Sequence, residues 1–124
     1  KLIKNAGGLV ISPFDSAMRS LLVAIYELDV REIMVIAHTE CGACHMSFEA
    51  FREHILARGI DEKTLDTIQH CGIDLNKWLE GFHDTASSVR QTVDTIRHHP
   101  LVPTDVIVRG FIINSVTGQL EECR

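Results

Sequence analysis

Long hydrophobic runs are missing from this sequence of 124 residues. No apolar stretch approaches the roughly 20 residues that a helix needs to cross a bilayer, so we expect no membrane-spanning segment. We also expect no signal peptide in these residues, because no long apolar stretch follows the basic residues near Lys1. Internal repeats, low-complexity segments and linker-like stretches are absent too, which predicts a single domain over residues 1–124.

Basic residues are too few to build a surface for nucleic acid or for an anionic membrane. The chain has 12 Lys and Arg against 17 Asp and Glu, a formal net charge of -5 at pH 7. No basic cluster offsets this balance, so we expect no nucleic-acid partner. The hydrophobic fraction of 45% and the charged fraction of 23% are typical of a globular protein that builds its own core.

The sequence gives no support for a disulfide framework. Its four cysteines are Cys41, Cys44, Cys71 and Cys123. An even number is compatible with disulfides in a secreted protein, but no feature of secretion is present and the core does not need them. We therefore interpret the cysteines as reduced thiols or as thiols on a metal, and we expect a cytoplasmic location. Cys71 and Cys123 lack ligand-spaced neighbours, which favours packing or free thiols.

Hydrophobic periodicity predicts alternating strands and helices. Strands are predicted at 1–4, 33–37 and 106–113, helices at 15–28, 45–58, 61–71, 74–81 and 85–98, and a hairpin strand at 119–123. The continuous apolar segment 33–37 is typical of a strand buried on both faces of a parallel sheet. The order predicts an α/β fold with a parallel sheet flanked by helices. Arg109 falls in the last long strand, where a charge needs a partner.

Two histidines and two cysteines lie close together in HTECGACH, residues 38–45. His38 and Cys41 follow a predicted strand and precede a predicted helix, and ligand sites in open α/β sheets lie beyond the carboxyl ends of strands. The positive end of the helix dipole would favour a thiolate at Cys41. Imidazole and thiolate are both good zinc ligands. The His-x-x-Cys spacing lets both side chains reach one ion across a tight turn, eased by Gly42.

Spacing alone leaves three interpretations of this stretch open. Two ligands do not complete a zinc site, because zinc takes about four. The pair is equally compatible with a buried thiol at Cys41 beside a hydrogen-bonded histidine at His38. Cys41 and Cys44 also have the C-x-x-C spacing of redox pairs, although the aromatic residue and the proline of thioredoxin-like sites are missing.

The motif lies within a longer pattern that resembles the β-class carbonic anhydrases, especially the small prokaryotic type. The shared features are the strand-N-A-G segment at 4–7, the helix S-L-x-x-A-I-x-x-L, the strand E-I-x-V-I and the motif H-T-x-C-G. The resemblance continues in H-P-L-V-P at 99–103, G-F-I-I at 110–113 and the T-G turn at 117–118. It covers most of the chain and is weakest from 47 to 83.

The resemblance implies a zinc enzyme that reversibly hydrates CO2 to bicarbonate, with His38 and Cys41 as two of three protein ligands of Zn2+. It also implies a loop beside the metal formed by Asn5, Ala6, Gly7 and Gly8. We expect Gly7 or Gly8 to allow close approach, or simply to form a tight turn. Thr39 either orients a group in the layer of residues around the zinc ligands or caps the following helix. The family assembles as dimers or multiples of them, which implies a homodimer or a higher even oligomer.

The family's third zinc ligand belongs to an upstream C-x-D-x-R motif, which this chain does not contain. The Asp and Arg of that motif form the family's catalytic dyad, so neither can be assigned here. The family places the motif on an inner strand between those matching 1–4 and 33–37, so we expect that strand to be missing and the natural product to be longer. The alternatives are that Cys44 replaces the lost ligand, that the chain is a non-catalytic zinc-binding or structural homologue, or that it hydrolyses carbonyl sulfide or carbon disulfide.

Overall fold

The computed structural model describes residues 1–124 as five helices and three strands. The elements are α1 (Ser16–Glu27), β1 (Glu32–His38), α2 (Phe48–Ala57), α3 (Glu62–His70), α4 (Leu75–Trp78), α5 (Thr85–Arg97), β2 (Ile107–Ile113) and β3 (Leu120–Cys123). The predicted α/β fold is confirmed. The chain divides into two compact units, residues 1–41 with 84–124 and residues 42–83, and the single domain stays a prediction. None of the helices is long and apolar enough to cross a membrane.

The three strands form one mixed sheet in the order β1-β2-β3. β1 and β2 are parallel, with a register that runs from Glu32 opposite Ile107 to His38 opposite Ile113. β3 returns antiparallel to β2 and forms the predicted hairpin strand. The parallel pair required a long crossover, which the intervening helices provide. Because β1 and β2 end at the same edge, the loops that follow them lie side by side.

Residues from α1, α5 and one face of the sheet form the core of the larger unit. α1 begins after Asp15, whose carboxylate accepts a hydrogen bond of 2.7 Å from the Met18 N–H and so caps the helix. Met18, Val89 and Ile96 are the largest fully buried side chains. Gly110 lets α5 approach β2 closely, since a Cβ at this position would lie 2.5 Å from Val89 Cγ1.

Only one face of β1 is covered by helices. Ile33, Val35 and Ala37 are buried, whereas Met34 and Ile36, which alternate with them, are 47% and 46% exposed. The prediction that this strand is buried on both faces is therefore wrong. A continuous apolar sequence fits both arrangements locally, and the difference lies in which elements pack on the second face. In this chain no helix does so.

Residues 1–4 form no strand, so the prediction of one there is wrong. A strand needs a neighbour to satisfy its backbone hydrogen bonds, and β1 pairs only with β2. A mainly apolar groove of about 220 Å³ lies along the other edge of β1, lined also by α1 and by residues 1–3. The unpaired edge of β1 and residues 1–3 of the irregular segment therefore border the same groove.

The smaller unit, residues 42–83, contains α2, α3 and α4. α2 begins at Phe48, after Ser47 as the N-cap, and not near His45 as predicted. The residues before it pair with a distant segment instead, as the His45 N–H donates to the Phe82 carbonyl at 2.7 Å. Cys41 therefore lies seven positions before the first residue of α2. The expectation that this thiol adjoins a helix N-terminus is wrong.

Candidate metal centre

His38 is the last residue of β1, and its side chain is exposed. Its Nδ1 lies 2.8 Å from the carbonyl oxygen of Thr39. Because a carbonyl oxygen can only accept, the ring must donate, and the proton is therefore on Nδ1. The neutral ring then carries its lone pair on Nε2, which is the form that binds a metal. Histidine ligands of metals are typically oriented by such a second hydrogen bond.

Thr39 is held in place by the segment that follows β2. Its N–H donates to the Ile113 carbonyl at 3.0 Å, which continues the parallel ladder one residue beyond β1. Its Oγ1 accepts a hydrogen bond of 3.0 Å from the Ser115 N–H and also lies 3.0 Å from Ser115 Oγ. The hydroxyl is thus bonded to the β2–β3 turn, and the helix that follows in sequence is capped by Ser47.

The chain turns sharply at Glu40, whose φ of 57° is in the left-handed region. This conformation costs an ordinary residue roughly 1–2 kcal/mol. The prediction that Gly42 eases the turn is wrong, since its φ is not positive. Cys41 follows the turn as a half-buried free thiol. His38 and Cys41 therefore both lie at the carboxyl end of β1, where ligands of α/β sheets bind.

The loop at 5–8 lies against β1. Gly7 and Gly8 have φ of 88° and 64°, and a Cβ at Gly8 would lie 3.2 Å from the Ile36 carbonyl oxygen. Gly8 therefore combines a turn with a close approach to the strand. The Asn5 side chain is used locally, since it accepts from the Leu9 N–H at 2.9 Å and donates to the Leu9 carbonyl at 2.6 Å. Ala6 lies exposed within the loop.

No third side chain joins His38 and Cys41 in a group that could hold a metal ion. Cys44 Sγ lies 3.8 Å from the His83 carbonyl oxygen, and the rings of His45 and His83 are 5.9 Å apart, all within the smaller unit. No group of three or more His, Cys, Asp or Glu side chains is placed to hold a metal ion. The donor set of His38 and Cys41, an imidazole whose Nε2 makes no hydrogen bond and a free thiol, suits zinc but needs completion.

Arg109 is expected to need a partner, and the structure shows that this partner is Glu122. The guanidinium donates to both carboxylate oxygens at 2.9 and 3.2 Å, lies 3.6 Å from Glu32, and its Cζ is 5.1 Å from the centre of the Phe111 ring. The hydrogen bond from Arg109 lowers the pKa of Glu122, and the same bond raises the pKa of Arg109. This group lies on the open face of the sheet. The predicted hairpin is the only local signal for this ion pair, because the pairing depends on the register of β2 and β3.

Comparison with known proteins identifies the family. The family model described as "Carbonic anhydrase" matches residues 1–122. The crystal structure of a β-carbonic anhydrase from Trichomonas vaginalis superposes with a TM-score of 0.88 at 31% identity, covering 98% of this chain and 65% of that chain. The chain belongs to the β-class carbonic anhydrase family. The resemblance inferred from the sequence motifs is therefore confirmed.

Relatives within this family have more than one named activity. "Putative carbonic anhydrase YtiB" of Bacillus subtilis is 46% identical over 121 residues, 98% of this chain and 65% of that protein. "Carbon disulfide hydrolase" of Acidithiobacillus thiooxidans is 30% identical over 129 residues, 96% of this chain and 61% of that protein. The chain thus spans less than two thirds of the length of these relatives.

Proposed function

We propose that this chain carries the zinc-binding part of an enzyme that reversibly hydrates CO2 to bicarbonate. The observation that carries the proposal is the state of His38, whose Nδ1–H is bonded to Thr39 and whose Nε2 is free, three residues before the free thiol of Cys41. His38 is the last residue of β1 and Cys41 lies just beyond it, in a chain of the β-class carbonic anhydrase family. Relatives named as carbonic anhydrases support CO2 as the substrate.

In this proposal each group of residues has a role that follows from its chemistry. When bound, zinc acts as a Lewis acid that makes hydroxide available from water near neutral pH. His38 holds the ion through Nε2, with its ring direction set by Thr39, and Cys41 binds as a thiolate. The loop of Asn5, Ala6, Gly7 and Gly8 contributes small side chains beside the site, which suits a substrate that forms few hydrogen bonds.

We propose further that the third protein ligand lies on a strand that pairs with the free edge of β1. The support is the unpaired edge, the apolar groove of about 220 Å³ along it, and the family's C-x-D-x-R strand, which this chain does not contain. Such a strand would satisfy the open backbone groups of β1. It would also bring an Asp/Arg dyad to the carboxyl end of the sheet. The rival source of the ligand is Cys44.

Assembly and location belong to the same proposal. We expect a homodimer or a larger even oligomer, as the family resemblance implies, and a cytoplasmic location, which the free cysteines favour. The open face of the sheet supports an assembly, because Met34, Ile36 and Ile107 on it are 47%, 46% and 55% exposed. Adjacent apolar side chains of this kind often mark protein–protein contacts.

The first test is the zinc content of two cysteine variants. Cys41→Ser should lose zinc, because a serine hydroxyl is a far weaker zinc ligand than a thiolate. Cys71→Ser is the matched control, since Cys71 is exposed after α3 and should keep the wild-type content. Native mass spectrometry reports zinc and subunit number together, and CO2 hydration is followed by stopped flow. Full zinc in Cys41→Ser would refute the ligand assignment.

A related hydrolase activity is the second candidate. It is favoured by the relatives named carbon disulfide hydrolase, including a solved structure with a TM-score of 0.79 at 26% identity. The proposed ligands His38 and Cys41 are compatible with either reaction, so they do not distinguish the two. Release of hydrogen sulfide from carbon disulfide, measured beside CO2 hydration, decides between the two. Zinc binding with neither activity would support a non-catalytic homologue.

A further inference from the structure

We infer that Ser115 is a positioning residue that sets the ring of His38 through Thr39. The consequence of this positioning for zinc binding rests on the proposed function. The hydrogen bonds themselves exist without a metal, so they can be tested separately. Ser115 lies 76 positions after Thr39 in the chain, and only the parallel pairing of β1 and β2 brings the two together.

The turn that carries Ser115 is held rigidly by its neighbour Asn114. The Asn114 side-chain oxygen accepts hydrogen bonds of 2.9 and 3.0 Å from the N–H groups of Val116 and Thr117. Its backbone carbonyl accepts from the Gly118 N–H at 2.8 Å. A short polar side chain that bonds the backbone ahead of it is a typical turn stabiliser. The turn therefore presents the N–H and the hydroxyl of Ser115 in a fixed direction.

Thr39 receives three contacts from this side of the sheet. Its N–H reaches the Ile113 carbonyl, its Oγ1 accepts from the Ser115 N–H, and the two hydroxyls share a further bond, each contact being 3.0 Å. Together they fix both the backbone and the χ1 rotamer of Thr39. The carbonyl that accepts from His38 Nδ1 belongs to this same residue. The contacts thus form one chain from Ser115 through Thr39 to His38.

This series of hydrogen bonds is important because Glu40, the residue after Thr39, has a strained backbone. Glu40 has a left-handed backbone, which an unanchored loop would leave for a more relaxed conformation. Such a change would rotate the Thr39 carbonyl away from the His38 ring. The ring would then be free to adopt the tautomer with its proton on Nε2, which presents no lone pair to a metal there. Ser115 therefore helps to keep Nε2 available.

The direct test is the tautomer of His38 in the metal-free chain. Long-range proton–nitrogen NMR of the imidazole, at a pH where the ring is neutral, distinguishes Nδ1–H from Nε2–H. We expect the Nδ1–H form in the wild type and in Thr39→Ser, and a mixture of both forms in Thr39→Val. The control is Thr95→Val, which removes a hydroxyl bonded at 2.9 Å to a backbone carbonyl within α5. A wild-type tautomer in Thr39→Val would overturn the inference.

Zinc affinity, measured by competition with a chromophoric chelator, supplies the second readout. We expect Thr39→Val to bind zinc roughly 10–100-fold more weakly, with rescue by Thr39→Ser. Ser115→Ala loses only the hydroxyl bond, so we expect a smaller loss of roughly 2–10-fold. If Ser115 acts through Thr39, adding Ser115→Ala to Thr39→Val should cause no further loss. Additive losses in the double variant would overturn the inference.

The two readouts keep the inference separate from the proposed function. A product that carries the C-x-D-x-R strand and still binds no zinc contradicts the proposed function, and the tautomer measurement then decides the inference alone. If circular dichroism shows that Thr39→Val does not fold, the tautomer and the zinc affinity are both measured on Ser115→Ala instead. An Nδ1–H population and a zinc affinity that are both unchanged in Ser115→Ala would then overturn the role of Ser115.

Discussion

At the scale of single residues, the charges on the open sheet face make a pH dependence predictable. The hydrogen bond from Arg109 lowers the pKa of Glu122 below its usual 4.5 in the folded chain. A lowered pKa means that folding favours the charged carboxylate, so the contribution to stability is complete above the unfolded pKa. It is lost as the pH falls from about 4.5 through the lower folded pKa. Stability should therefore decline on the acid side.

Glu122→Gln should reduce that acid decline. The variant cannot ionise, so its thermal midpoint should fall less than that of the wild type between pH 6 and pH 3, roughly the range of carboxylate titration. Glu121→Gln is the control, because Glu121 is the exposed neighbour on β3 and makes no ion pair with Arg109. Thermal unfolding followed by circular dichroism measures the midpoints. Equal acid declines in the wild type and Glu122→Gln would show that the pair contributes nothing.

The proposed ligand residues are recognisable in the sequence, whereas the hydrogen bonds that hold them in place are not. His38 and Cys41 are recognisable because they are neighbours in a specific motif, H-T-x-C-G. Ser115 has no local signal, since its contact with Thr39 depends on the register of two strands that are distant in sequence. The left-handed Glu40 also has no signal, because the residue type there does not favour that conformation.

At the scale of secondary structure, the close contact of α5 with β2 depends on Gly110. A Cβ there would lie 2.5 Å from Val89 Cγ1 and 3.0 Å from Val93 Cγ2, both in a packed core. Gly110→Ala should therefore lower the free energy of unfolding by about 1–3 kcal/mol. Gly42→Ala is the matched control, because a Cβ at Gly42 meets nothing within 4 Å. Urea denaturation measures both.

A compensating change tests whether the cause is this contact. Val89→Ala in the Gly110→Ala background makes room for the new methyl group. The double variant should therefore lose less stability than the sum of the two single variants. Strict additivity would show that the Cβ is accommodated by movement of the helix and not by the side chain of Val89.

Elements with local signals were predicted well, and those set by distant partners were not. α1, α5 and the β2–β3 hairpin follow from an Asp cap, apolar periodicity and turn residues within each segment. The predicted start of α2 lies a few residues before the observed one. His45 is bonded to Phe82 instead, and the periodicity of the sequence does not report such a distant contact. Residues 1–4 have the composition of a strand but no neighbouring strand to pair with.

At the scale of the whole molecule, the edge of β1 is the feature that connects fold and function. The Arg31 carbonyl and the Thr39 N–H both form hydrogen bonds with β2. Because alternate residues of a parallel strand bond to the same neighbour, Ile33, Val35 and Ala37 also direct their N–H and carbonyl groups to β2. The residues between them, including Met34 and Ile36, therefore direct their N–H and carbonyl groups to the free edge. The strand that we propose to carry the third zinc ligand would pair with this free edge of β1.

Hydrogen exchange of the β1 amides tests this arrangement. In the 124-residue chain the Met34 and Ile36 amides should exchange much faster than those of Val35 and Ala37, which donate toward β2. β2 is the internal control, because it has a partner on both sides. In a product that carries the C-x-D-x-R strand, the amides of Met34 and Ile36 should become as slow as their neighbours, since their N–H groups then have acceptors. Slow exchange of all four amides in the 124-residue chain would mean that another surface already covers the edge, and the third ligand would then have to be sought elsewhere.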